Sequence, residues 1–131
     1  MRSLVLLISF IALMSCRADE SLTAYGGAGT WQLQRLNGQP YAARATIAFG
    51  TNGAVTGQGA CNGYGATQTA PYPWFELREM LSTQIACAQL AKEQQFFRAL
   101  NAMTLAEVSG DTLILSNDSG EMMEFNLLRD G

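Results

Sequence analysis

Hydrophobic positions along this chain follow three different spacings, and each spacing predicts a different kind of element. Leu4 to Leu13 is a nearly unbroken apolar run, interrupted only by Ser9. From Thr30 onward the apolar residues alternate with polar ones, the period of half-buried strands. Trp31 and Leu33 alternate with Gln32 and Gln34 up to a turn at Leu36-Asn37-Gly38, and Ala45, Ile47 and Phe49 alternate again. Asn52-Gly53 supplies the positive-φ pair of a tight hairpin, with Ala54 to Gln58 as the returning strand. Gly57 to Gly65 is too rich in glycine for a plain strand, so its backbone must bend or be closely approached. Ala66 to Thr69 and Trp74 to Glu79 read as further strands, the second beginning at the Pro71-Tyr72-Pro73 loop.

One stretch changes to helical spacing. From about Ala88 to Asn101, Leu90, Phe97 and Leu100, joined by Phe96 and Met103, share a side, while Lys92, Gln95 and Arg98 face outward. Strand alternation then returns in Thr104 to Ser109, Leu113 to Leu115 and Met122 to Leu128, separated by the Gly110-Asp111 and Asn117 to Gly120 turns. Asp118 and Glu121 lack the alternating oxygen ligands of a calcium loop, and turn chemistry accounts for them.

The opening run is too short to span a bilayer, which takes about 20 apolar residues. It follows Arg2 and ends Leu13-Met14-Ser15-Cys16. That tetrapeptide resembles the lipobox of bacterial lipoproteins, in which cleavage precedes a cysteine that then carries the lipid. The expected layout is therefore a signal peptide at 1–15, a lipidated flexible tether at 16–29 with Cys16 as the lipidation site, and a folded domain from residue 30. A plain secretory leader with an incidental cysteine is the alternative. Arg17, in place of the aspartate that retains lipoproteins in the inner membrane, points to the periplasmic face of the outer membrane, or failing an anchor to the periplasm.

Chemistry is restricted by what the chain lacks. There is no histidine among 131 residues, so neither a Ser-His nor a Cys-His nucleophile pair is possible and zinc loses its commonest nitrogen ligand. Eight basic side chains against eleven acidic ones give no phosphate-seeking surface, and nucleic acid is not an expected partner. No cofactor or metal is expected. The Gly-rich stretch has Asn62 where a dinucleotide fingerprint needs glycine, and no helix follows it. Glu76 and Glu79 would stand on opposite faces of one strand, which does not suit a carboxylate pair. Lipidation of Cys16 leaves Cys61 and Cys87, and two thiols in an oxidising compartment usually pair. Two buried free cysteines are the alternative.

Taken in order, Gly57-Gln58-Gly59-Ala60-Cys61-Asn62, Thr83 to Cys87, a helix carrying Glu93 and Phe96-Phe97, and Gly110-Asp111-x-Leu113-x-Leu115 resemble the META domain of HslJ-type bacterial lipoproteins over about Thr30 to Leu128. Gly63 and Ile85 depart from the bulkier or basic residue and the methionine common there. The resemblance implies an α+β fold, an antiparallel sheet curled as an incomplete barrel packed on one α-helix, with a Cys61–Cys87 bond tying the Gly-rich bend to the helix entrance. It implies envelope-stress or secretion-related work without catalysis.

The expected activity is binding of an envelope protein or apolar ligand. Asn62, Tyr64, Tyr72, Trp74 and Thr83 are the candidate binding residues, and Tyr72, Trp74, Phe75 and several methionines are expected to line an apolar groove. Inhibition or chaperoning through a sheet edge is a second possibility, and a hydrolase using Cys61 is a third.

Overall fold

The computed structural model describes residues 19–129. The leader, Cys16 and the first part of the expected tether lie outside the described residues.

The described residues form nine strands and one α-helix: β1 (Gly29–Leu36), β2 (Gln39–Pro40), β3 (Thr46–Phe49), β4 (Ala54–Gln58), β5 (Gly63–Thr67), β6 (Arg78–Ser82), α1 (Leu90–Ala102), β7 (Leu105–Ser109), β8 (Thr112–Ser116) and β9 (Met122–Leu127). The sheet runs β6-β5-β4-β3-β1-β9-β8-β7, with β2 paired only to β1. Every pairing is antiparallel. The two end strands, β6 and β7, share no ladder, so the curled sheet is an incomplete barrel and the fold is α+β.

Turn chemistry sets the hairpins. Asn37 and Gly38 have φ of 51° and 77°, Asn52 and Gly53 of 56° and 76°, the left-handed values that close tight turns. Alternation then decides which side chains enter the barrel. Trp31, Ile47, Leu113, Leu115, Met123 and Phe125 from four strands meet Phe96 and Leu100 of α1 at 0% exposure. Burying each such side chain contributes about 1.5–3 kcal/mol. The helix buries Glu93, Phe96, Ala99 and Leu100, whereas Phe97 and Leu90 from the expected stripe are only half-buried.

The structure corrects the expected tether. Residues 19–28 are not a free linker: Leu22 is 4% exposed in the core and Thr23–Gly27 form a helical turn against the barrel. The cause is Trp31, whose indole N–H is buried and requires an acceptor. Gly27 supplies its carbonyl oxygen at 2.9 Å, and Gly27 N–H in turn donates to Leu22 O. The packed domain thus begins about ten residues before the expected boundary.

The strand expected at Trp74 to Glu79 is also displaced. Pro73 and Phe75 run beside β7, with Ala106 N–H donating to Pro73 O, Phe75 N–H to Thr104 O, and a single bridge between Trp74 and Leu105. The chain then crosses the barrel gap and joins β5 only from Arg78. Proline at 71 and 73 has no N–H to continue a ladder, which favours a crossing here over one unbroken strand.

Candidate functional site

The Gly-rich stretch, the 83–87 segment and α1 meet at one buried polar cluster centred on Asn62 and Glu93. Asn62 is 4% exposed and Glu93 2%. A buried carboxylate and amide are costly unless their hydrogen bonds are met, and here they satisfy each other. Glu93 Oε1 accepts from Cys61 N–H at 2.9 Å and Asn62 N–H at 2.6 Å, while Oε2 accepts from Asn62 Nδ2 at 2.6 Å. The second Nδ2 hydrogen goes to Ile85 O at 2.9 Å. Asn62 Oδ1 accepts from Thr83 Oγ1 at 2.8 Å and Ile85 N–H at 2.7 Å. Both donors and both acceptor positions of the amide are therefore in use.

Glycine makes this approach possible. A Cβ at Gly59 would collide with the Glu93 carboxylate, and one at Gly57 would collide with Thr46 O and the Tyr64 ring. Gly59 N–H also donates to Asn62 O at 2.7 Å, closing the bend. Beside it, Cys61 and Cys87 are joined as a disulfide with Cα atoms 5.6 Å apart, clamping the bend to the helix entrance. The pairing implied by the family resemblance is thus present in the structure.

Tyr41 abuts the same helix. Its hydroxyl donates to Lys92 O at 2.7 Å. Burial, with the nearby Glu93 charge as a second cause, pushes its phenol pKa up to about 12. Burial likewise pushes Tyr64 far above its ordinary value; its O–H donates to Thr46 O at 2.7 Å and its ring packs edge-on against Phe96 and Phe97.

The candidate binding residues divide into three groups. Asn62 and Thr83 come together in the clamp, the hydroxyl of the exposed Thr83 donating to the buried Asn62 amide. Tyr64 is a core residue on the flank of a cleft of about 480 Å³ that also borders Arg44, Thr46 and Gln58. Tyr72 and Trp74 lie beside β7: Tyr72 stacks on Tyr25 with ring centroids 4.5 Å apart and accepts a hydrogen bond from Val108 N–H, while Trp74 is 59% exposed.

The expected apolar groove is corrected by the same facts. Phe75, Met103 and Met123 are core residues at 2%, 2% and 0% exposure, because alternation and the helix stripe turn them inward. A larger cleft of about 590 Å³ is instead lined by Asp19, Glu20, Leu22, Phe49, Gln68 and Pro71 among others, with neither Trp74 nor a methionine.

Glu93 is the residue that sequence reasoning left out of the site. Its signal was its position: Phe96, Phe97 and Leu100 stand three, four and seven residues on, so this glutamate shares their face of the helix. Among the described residues no group of histidine, cysteine and carboxylate side chains is arranged to hold a metal. The Asn117 to Gly120 turn is held by Asn117 Oδ1, which accepts from Ser119 and Glu121 N–H.

A curled sheet with one helix, its Gly-rich bend locked to that helix, defines a small α+β domain. The META domain family matches residues 20–130, and the chain belongs to that family. Solved structures share the fold. A DUF4847 family protein from Bacteroides vulgatus superposes with a TM-score of 0.66 at 14% identity, over 85% of this chain and 100% of its own. An NMR structure of a protein from Burkholderia xenovorans gives 0.64 at 18% identity, over 81% and 86%. A comparison with curated protein sequences finds no match.

Proposed function

We propose that this chain is a non-enzymatic lipoprotein of the bacterial envelope, anchored through Cys16 and facing the periplasm from the outer membrane, where it acts on another envelope component by binding it. The observation that carries this reading is the Cys61–Cys87 bond. Such bonds persist in oxidising compartments and are rare in the cytosol. The third cysteine is then the one in the leader motif, where an acyl chain would be attached. Bonding also removes the Cys61 thiolate that a hydrolase reading would require, since the thiolate is the nucleophile.

Metabolic labelling with palmitate tests the reading. The wild-type chain should incorporate label, lose it on Cys16→Ser, and accumulate as precursor under globomycin. An unlabelled, unprocessed chain would overturn the anchor. Mass spectrometry of unreduced peptides should recover Cys61 and Cys87 in one linked species.

A second reading is favoured by β6, which ends the sheet and carries Leu81 at 78% exposure. An unpaired strand edge can accept an added strand from another chain. A photocrosslinker at Leu81 in the native envelope should then trap one discrete adduct; a crosslinker at Glu107 of β7, whose edge is partly occupied by residues 73–75, should not.

A further inference from the structure

We infer that the stacked pair Tyr25 and Tyr72, with the exposed Trp74 two residues along the chain from Tyr72, is a membrane-docking surface that seats in the headgroup layer of the bilayer carrying the lipid anchor. The inference rests on the reading that Cys16 is lipidated, and it adds which face of the domain meets the lipid.

The first argument is chain length. Because residues 19–28 of the expected tether are packed on the domain, only three peptide links separate Cys16 from Asp19, the first described residue. Fully extended, they span about 10 Å. The polar layer on one side of a bilayer is itself about 5–7 Å thick. Asp19 is therefore held at the surface of that layer, and its immediate surroundings must face lipid.

Those surroundings are aromatic. Tyr72 N–H donates to Glu20 O at 2.7 Å, which fixes Tyr72 beside the entry of the chain. Tyr25 stacks on it at 4.5 Å with the rings 13° from parallel, and Tyr25 is 49% exposed. Trp74 follows two residues on, 59% exposed, its backbone pinned to Pro71 O by its own N–H and to β7 by the Leu105 bridge. Tyrosine and tryptophan combine an apolar ring with a hydrogen-bonding edge, which suits the boundary between headgroups and acyl chains. The backbone that carries Tyr72 and Trp74 is held by hydrogen bonds and the two tyrosine rings by their stacking, so presenting them to the bilayer forfeits little further backbone freedom. Asp19 and Glu20 border the cluster, so the lipid it fits is zwitterionic rather than anionic.

The two tryptophans make the test direct. Trp31 is fully buried and Trp74 is exposed. The acylated, mature protein is reconstituted in phosphatidylcholine vesicles containing lipid brominated near the headgroup. Trp74 emission should be quenched and shielded from aqueous iodide, Trp74→Phe should abolish the quenching, and Tyr25→Ser should weaken it. Non-acylated Cys16→Ser protein mixed with the same vesicles supplies the iodide-accessible reference. Acylated protein whose Trp74 stays as open to iodide as that reference would overturn the docking surface and leave the anchor standing. Absence of acyl mass on Cys16 would instead refute the anchor, and the docking surface with it.

Discussion

The polar clamp around Asn62 and the aromatic cluster around Tyr72 each join three distant segments, yet they do so in opposite ways. At the clamp, the Gly-rich bend, residues 83–87 and α1 are held by a buried amide, a buried carboxylate and a disulfide. At the aromatic end, the 20–27 turn, residues 72–75 and β7 are held largely by backbone hydrogen bonds, and side chains are left facing out. The first arrangement spends its functional groups on one another and so stabilises. The second leaves ring surface available to solvent. Residues that resemble a site by type therefore separate by whether their bonding capacity is already used.

Removing Glu93 should mark that contrast most strongly. Glu93→Ala orphans three donors, the buried N–H and Nδ2 of Asn62 and the part-buried N–H of Cys61, each costing about 1–3 kcal/mol, so urea unfolding should show a loss of about 3 kcal/mol or more, if the variant folds at all. Glu93→Gln keeps the shape and should lose less. Reduction of the disulfide comes next. A bond across a sequence separation of 26 constrains the unfolded chain by roughly 3–4 kcal/mol in the loop-entropy model. Thermal unfolding with and without reductant should differ by roughly 10–15 °C. A coincident pair of curves would remove the bond from the account of stability.

Gly59→Ala forces a methyl group against the Glu93 carboxylate and should cost about 1–3 kcal/mol in the same urea assay. Alkaline titration probes the clamp's flank. Tyr41 is neutral when buried and its pKa is raised from 10.0 to about 12, so the folded state binds its proton more tightly. The stability this provides is whole below pH 10 and is lost as pH rises from 10 through 12. Unfolding free energy should fall across that window, and Tyr41→Phe should make the fall shallower, with the buried Tyr64 supplying the remainder. The smallest effect belongs to the aromatic end: Trp74→Phe should change stability by under about 0.5 kcal/mol, as expected of an exposed position.

Strand alternation, the Asn-Gly turns and the helical stripe were sufficient to predict most of the strands and the helix, while the curling of the sheet into an incomplete barrel was implied by the family resemblance. These signals are local, since each depends on residues within a turn or two of one another. Glycine crowding marked the Gly57 to Gly65 stretch as one that bends or is closely approached, and the structure places the close approaches at Gly57 and Gly59. Asn62, Thr83 and the cysteine pair were named, but their shared centre was not. Glu93 lies 31 residues from Asn62, and no periodicity reports a bond over that distance.

The N-terminal segment was misjudged for a related reason. Small residues such as Gly26-Gly27-Ala28-Gly29 have the composition of a linker. Only the folded core reveals that Trp31 needs the Gly27 carbonyl and that Leu22 has a place to fill.

By itself, the sequence determined the elements, the turns and the limits on chemistry set by its lack of histidine, because these depend on residue type and short-range spacing. Tertiary structure alone decided which polar groups would satisfy one another and which aromatic rings would remain outside, because burial and hydrogen-bond pairing are properties of segments brought together from far apart in the chain.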